Sequence, residues 1–124
     1  MKIVISNSSN QPIYEQITSQ IKNLIMKGEL LEADPLPSIR NLAKELQISV
    51  ITTKRAYDEL EKEGFIVTVP GKGSYVAAEN KELLQEKRIK IVEEKLVEAV
   101  LAAKSIHLTL EQLQEMLSLF YEEE

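Results

Sequence analysis

The feature that most constrains this chain is the short connection Leu46-Gln47-Ile48-Ser49, set between two helical patterns that each begin on a serine. Ser38 can bond the orphan N–H groups of one first turn and Ser49 those of the next. The prolines at 35 and 37 forbid a helix through the Glu29–Pro37 connector ahead of them. Ile39, Leu42, Ala43 and Leu46 form the apolar stripe of the first of these helices. Thr53, Ala56, Tyr57 and Leu60 form that of the second, which is expected to run to about Glu63 and stop at Gly64. Upstream, Pro12 suits a helix start and Gly28 a helix stop, with Ile13, Ile17, Leu24 and Ile25 at helical spacing and Tyr14 and Ile21 on its flanks. Downstream, Phe65–Val69 and Ser74–Val76 read as strands around Pro70-Gly71, which fits the central positions of a type II turn. Three helices and a hairpin in under 80 residues predict a winged helix-turn-helix. Lys2–Ile5 is good strand material, although too short to stand alone.

After Ala78 the pattern changes, so residues 1–78 are expected to form one domain and 79–124 a second, helical region. One long helix is expected from Asn80 to about Lys104, some 36 Å at about 1.5 Å per residue. Ile89, Val92, Leu96, Ala99, Val100 and Ala103 recur along it at spacings of three and four. Leu84, Ile91 and Leu101 point at other angles. Thr109 and Gln112 have the spacing of a capping box, opening a last helix with Leu110, Leu113, Met116, Leu117 and Phe120 on its stripe. Two helices leave more apolar surface than they can cover between them, and such surface marks an interface. Pairing of two chains through Ile89, Val92, Leu96, Ala99, Val100, Ala103, Leu113, Leu117 and Phe120 is the expectation. The alternative is a helical hairpin folded back on its own winged domain.

The 124 residues contain no cysteine and one histidine, His107, which excludes disulfides, thiolate metal sites and histidine clusters within one chain. His107 itself reads as a surface or capping residue. No apolar run approaches the roughly 20 residues of a membrane span, no signal peptide opens the chain, and a cytoplasmic protein without metal or cofactor is expected. The net charge of −5 is unevenly placed. Residues 1–78 carry nine cationic and nine anionic side chains, whereas 79–124 carry six and eleven. Between Ser38 and Tyr57, Arg40, Lys44, Lys54 and Arg55 face only Glu45, so this stretch is locally cationic. Carboxylate pairs such as Glu93-Glu94 and the Glu122–Glu124 tail have no nucleophile beside them, and no residue set suggests an enzyme.

Major-groove reading needs a helix that presents its N-terminal side chains while its other face stays in the core. With Thr53, Ala56, Tyr57 and Leu60 turned inward, the outward set is Val50, Ile51, Thr52, Lys54 and Arg55. Threonine and the aliphatics can touch a thymine methyl, and the cations can meet guanine or phosphate. Packing of Val50 and Ile51 on the neighbouring helix is the competing reading. Ser38 and Arg40 open a helix whose N-terminus can point at a phosphate, and an ion pair of Arg40 with Glu45 or Asp34 is the alternative there. Gly71, Lys72 and Gly73 make a small cationic tip able to enter a minor groove.

Taken together, Pro12-Ile13-Tyr14-Glu15-Gln16-Ile17, Leu36-Pro37-Ser38-Ile39-Arg40-Asn41-Leu42-Ala43 and Arg55-Ala56-Tyr57-Asp58-Glu59-Leu60-Glu61-Lys62-Glu63-Gly64-Phe65-Ile66 resemble the GntR family of bacterial transcription regulators. Gly71-Lys72-Gly73-Ser74-Tyr75-Val76 resembles its wing. The resemblance covers about residues 10–78. It implies that Arg40, Ser49, Thr52 and Lys54 fall where the family contacts operator DNA, with Gly71 at the wing tip. The short two-helix C-terminal region is similar to that of the YtrA-like subfamily. Three positions depart from the family pattern: Ala33 and Gln47 stand where glycine is frequent, and Val50 where arginine is frequent. Loss of the first glycine is expected to change the loop. Glutamine at the second costs on the order of 1 kcal/mol if the backbone there needs φ > 0.

The expected function is therefore a homodimeric, sequence-specific transcriptional regulator, a repressor that binds an inverted-repeat operator on double-stranded DNA. The alternative is a winged-helix module whose third helix docks on a protein. The sequence names no small-molecule effector. Two helices are too few to enclose a typical pocket of about 300 Å³ or more in one subunit.

Overall fold

The computed structural model describes residues 1–78 and 81–123. The expected helix start at Asn80, the boundary at residue 79 and the last glutamate, Glu124, lie outside the described residues. Among the described residues five helices and one hairpin follow in order: α1 (Ile13–Met26), α2 (Ile39–Leu46), α3 (Val50–Lys62), β1 (Ile66–Val69), β2 (Gly73–Val76), α4 (Lys81–Ser105) and α5 (Leu110–Glu123). The chain divides into two compact units between Leu84 and Gln85.

The first unit is a winged helix-turn-helix closed around its own core. Ile17, Ile21 and Ile25 of α1 meet Leu42 of α2 and Ala56, Tyr57 and Leu60 of α3, with Phe65, Ile66 and Val76 from the hairpin below. The buried line on α1 thus runs through residues 17, 21 and 25, and Ile13 lies exposed. Thr53, Ala56, Tyr57 and Leu60 are the buried face of α3, as their spacing predicts. β1 and β2 pair antiparallel with Ile66 opposite Val76 and Val69 opposite Gly73. The turn between them is closed by the Lys72 N–H donating to the Val69 carbonyl at 2.9 Å, with Gly71 at φ 77°. That is the type II geometry, and glycine takes it without strain.

Four helices end in the same way. The residues just past α1, α2, α3 and α4, namely Gly28, Gln47, Gly64 and His107, have φ of 80°, 58°, 83° and 59°. In each case the following N–H, from Glu29, Ile48, Phe65 or Leu108, reaches back to a carbonyl five residues earlier at 2.8–3.0 Å. This left-handed cap satisfies carbonyls that the helix cannot. Gln47 and His107 perform it without glycine, at a cost of roughly 1–2 kcal/mol each. Ala33 also sits at φ 68°. Alanine has therefore taken up a left-handed backbone in the connector, rather than abolishing it.

Two parts of this unit differ from expectation. Lys2–Ile5 forms no strand. Its polar backbone is met instead by glutamine side chains of α1: the Val4 N–H donates to Gln20 Oε1 at 2.9 Å, and Gln20 Nε2 returns a bond to the Val4 carbonyl at 2.8 Å. Gln16, itself buried, accepts from the Ser6 N–H at 2.8 Å and donates to the Gln11 carbonyl at 2.9 Å. An amide on a helix thus substitutes for a strand neighbour, and Ile3 is fixed in the core. Second, the proline-bearing connector lies along β2. Ala33 and Leu36 N–H groups donate to the Val76 and Ser74 carbonyls at 2.9 Å, and the Val76 N–H donates to Asp34 at the same distance. Pro35 has no N–H to lose at its bridge with Tyr75.

The second unit is an α4–α5 hairpin. The Thr109 N–H donates to Gln112 Oε1 at 2.9 Å and the Gln112 N–H to Thr109 Oγ1 at 3.2 Å, completing the capping box. Packing is sparse. Ala103 is buried at 6% exposure, Leu108 and Leu113 are half-buried, and α5 contains no buried residue. Ile89, Val92, Leu96, Val100, Leu117 and Phe120 are all exposed. Between the helices runs an open apolar cleft of about 410 Å³, lined by Leu96, Ala99, Ala103, Leu113, Leu117 and Phe120 among others. Its volume exceeds what two helices were expected to enclose, but it is a groove open to solvent. Among the described residues no helix is long and apolar enough to cross a membrane.

Candidate nucleic-acid interface

The first turns of α2 and α3 are built alike. Ser38 Oγ accepts the Asn41 N–H at 3.0 Å, and Ser49 Oγ accepts the Thr52 N–H at 3.0 Å. Both serines have the extended backbone of an N-cap. The left-handed turn at Gln47 joins the two helices in three residues, Gln47 to Ser49, and so fixes the second relative to the first. Tyr57 Oη locks the pair by donating to the Pro37 carbonyl at 2.7 Å across 20 residues. Burial pushes its phenol pKa well above the ordinary value.

On this frame Arg40 lies exposed in the first turn of α2 and has no ion pair among the described residues; neither Glu45 nor Asp34 engages it. Asp34 Oδ2 instead accepts the Leu31 N–H at 2.8 Å. Val50 and Ile51 open α3 at 52% and 82% exposure, so neither packs away on α2. Thr52 is half-buried and its hydroxyl shares a 2.8 Å hydrogen bond with that of Ser49. Lys54 is exposed and pairs with Asp58 one turn on, at 2.7 Å. Gly71, Lys72 and Gly73 form the exposed tip of the hairpin. The fold brings the caps and outward residues of α2 and α3 into one helix-turn-helix, with the hairpin packed on α3 through Phe65 and Ile66.

Arg55 has a partner that spacing along α3 does not reveal. Its guanidinium lies 3.8 Å from the centre of the Tyr14 ring on α1. Lys22 of α1 similarly binds Glu63 at 2.7 Å and approaches the Phe65 ring at 5.5 Å. These contacts join α1 to α3 and its exit, and each spans some 40 positions, so no local pattern signals them. The capped first turns, with Arg40 in that of α2 and Lys54 just past that of α3, can meet phosphates and base edges. Among the described residues no group of histidine and carboxylate side chains could hold a metal ion.

Residues 13–76 match the family described as "Bacterial regulatory proteins, gntR family". The chain is 39% identical over 113 residues to the HTH-type transcriptional repressor YtrA of Bacillus subtilis, spanning 91% of this chain and 87% of that one. Its fold resembles that of a GntR family transcriptional regulator from Listeria monocytogenes, with a TM-score of 0.78, 29% identity, and coverage of 92% of this chain and 97% of the other. The DNA-binding domain of AraR in complex with operator ORE1 covers 62% of this chain and 94% of its own, at a TM-score of 0.53 and 25% identity. The chain belongs to the GntR family of bacterial regulatory proteins, DNA-binding transcription regulators rather than enzymes.

Proposed function

We propose that this protein is a cytoplasmic transcriptional repressor that binds an inverted-repeat operator as a homodimer. The winged unit contacts the DNA, and the helices after residue 78 join the two copies. The observation that carries the reading is the state of α4 and α5. In a unit of about 40 residues where Ala103 is the one buried residue among those described, the chain's own core is too small to hold it together. Ile89, Val92, Leu96, Val100, Leu117 and Phe120 are exposed along both helices in the single chain. A second copy set on the α4–α5 groove supplies the missing layer, giving a four-helix arrangement. Two-fold pairing requires self-complementary surfaces, which one apolar groove meets readily. Similarity to a repressor over nearly the whole of both chains supports the direction of regulation.

Within the winged unit we assign backbone-positioning roles to Ser38, Arg40, Ser49, Lys54, Arg55 and Lys72. Gly71 and Gly73 allow the wing's close approach, and Val50, Ile51 and Thr52 face base edges. Selection of bound fragments from random DNA by the full chain tests the proposal. It should return a sequence with two-fold symmetry, and binding should weaken steeply with salt as phosphate-bound counterions are released. An asymmetric single site would overturn the dimeric reading. Absence of salt-dependent DNA binding would favour docking of α3 on a protein.

A further inference from the structure

We infer that α3 reads thymine methyl groups, with Ile51 as the main determinant and Val50 beside it, an inference that rests on the DNA-binding reading above. At the start of α3 the polar side chains have partners within the chain. Ser49 Oγ is taken up by the Thr52 N–H and hydroxyl, at 3.0 and 2.8 Å. One turn further along, Lys54 Nζ holds Asp58 at 2.7 Å, and the Arg55 guanidinium is stacked on Tyr14 at 3.8 Å. Beside them the tip presents two branched aliphatic side chains to solvent, Ile51 at 82% exposure and Val50 at 52%.

A β-branched pair in the first turn of an exposed helix is unfavourable both in hydration and in helix propensity. Its placement is explained if water is not its working environment. The major groove carries one apolar group, the C5-methyl of thymine, and cytosine at the same edge lacks it. An isoleucine at the groove-facing end of a recognition helix therefore distinguishes T·A from C·G by contact alone. Exposed pairs such as Lys54–Asp58 contribute little, so that ammonium can transfer to a phosphate, where it adds affinity and no sequence information. The specificity of the α3 tip is apolar, and its charge is positional.

The test uses operator duplexes selected by the full-length protein, with each thymine replaced in turn by 2′-deoxyuridine. The replacement keeps base pairing and removes only the methyl. Loss of a buried methyl should weaken binding about three- to fivefold per half-site. The effect should be confined to symmetry-related thymines in the two half-sites. Ile51→Ala should lose most of the difference between the thymine and uracil duplexes at these positions, with its melting temperature unchanged because the side chain is exposed. Val50→Ala provides the second arm, expected to remove a smaller share of the methyl dependence. The inference is overturned if no thymine shows methyl dependence, or if both variants retain the parent's full dependence. A protein that selects no DNA sequence at all overturns the DNA-binding reading as well, and leaves the apolar tip as a protein-docking surface.

Discussion

The winged unit and the α4–α5 unit both carry helices rich in apolar residues, yet only the first closes a core around them. α1 and α5 are each 14 residues long. On α1, Ile17, Ile21 and Ile25 are buried; on α5 nothing is. The difference lies in the number of layers available. α1 has α3 across it, α2 beyond and the hairpin closing the base, so its stripe meets partners on all sides. Within its own unit α5 has α4 beside it, and a single helix can cover only part of another's apolar surface. Periodicity therefore marks which face seeks burial, while the count of surrounding elements decides whether one chain can provide it.

The largest effects should separate the two units by their dependence on concentration. Leu60→Ala, in the winged core at 0% exposure, should cost about 2–5 kcal/mol at any protein concentration. Leu96→Glu combined with Val100→Glu should leave the winged unit's unfolding intact and abolish association, with operator affinity falling as each half-site is bound independently. Denaturant melts at two concentrations tenfold apart distinguish these outcomes. Concentration-dependent melting of the Leu60→Ala winged unit would blur the contrast.

A smaller effect is expected at the joint between α2 and α3. Tyr57→Phe removes the 2.7 Å bond to the Pro37 carbonyl and should cost about 1 kcal/mol, read as a lower denaturant midpoint. Smallest, and opposite in sign, are the left-handed positions occupied by residues other than glycine. Gln47→Gly and Ala33→Gly place glycine at φ of 58° and 68°. Each should stabilise the winged unit by about 0.5–1 kcal/mol, the relief of left-handed strain less the extra entropy of an unfolded glycine. His107→Gly should act in the same direction on the helical unit alone.

Much of the winged fold was legible because its signals are local. Ser38 and Ser49 announce helix starts through bonds to N–H groups three residues on, and Gly28 and Gly64 announce stops through their own backbones. Thr109 with Gln112 does the same for α5. Where partners are distant the sequence is silent. The glutamines that hold Val4 and Ser6 look like ordinary surface residues of α1, so Lys2–Ile5 reads as a strand that never forms. The connector at residues 33–36 looks like a loop because of its prolines, although it runs beside β2. Of the candidate DNA contacts, the outward placement of Val50, Ile51 and Arg40 follows from helix phase. The stacking of Arg55 on Tyr14 required the packing of α1 against α3.

The contrast between a self-sufficient winged unit and a helical unit that needs a second copy is tested most directly by analytical ultracentrifugation of the full chain at micromolar concentration, beside a fragment ending at Ala78. The account predicts a dimer for the full chain and a folded monomer for the fragment. A monomeric full-length protein would contradict it.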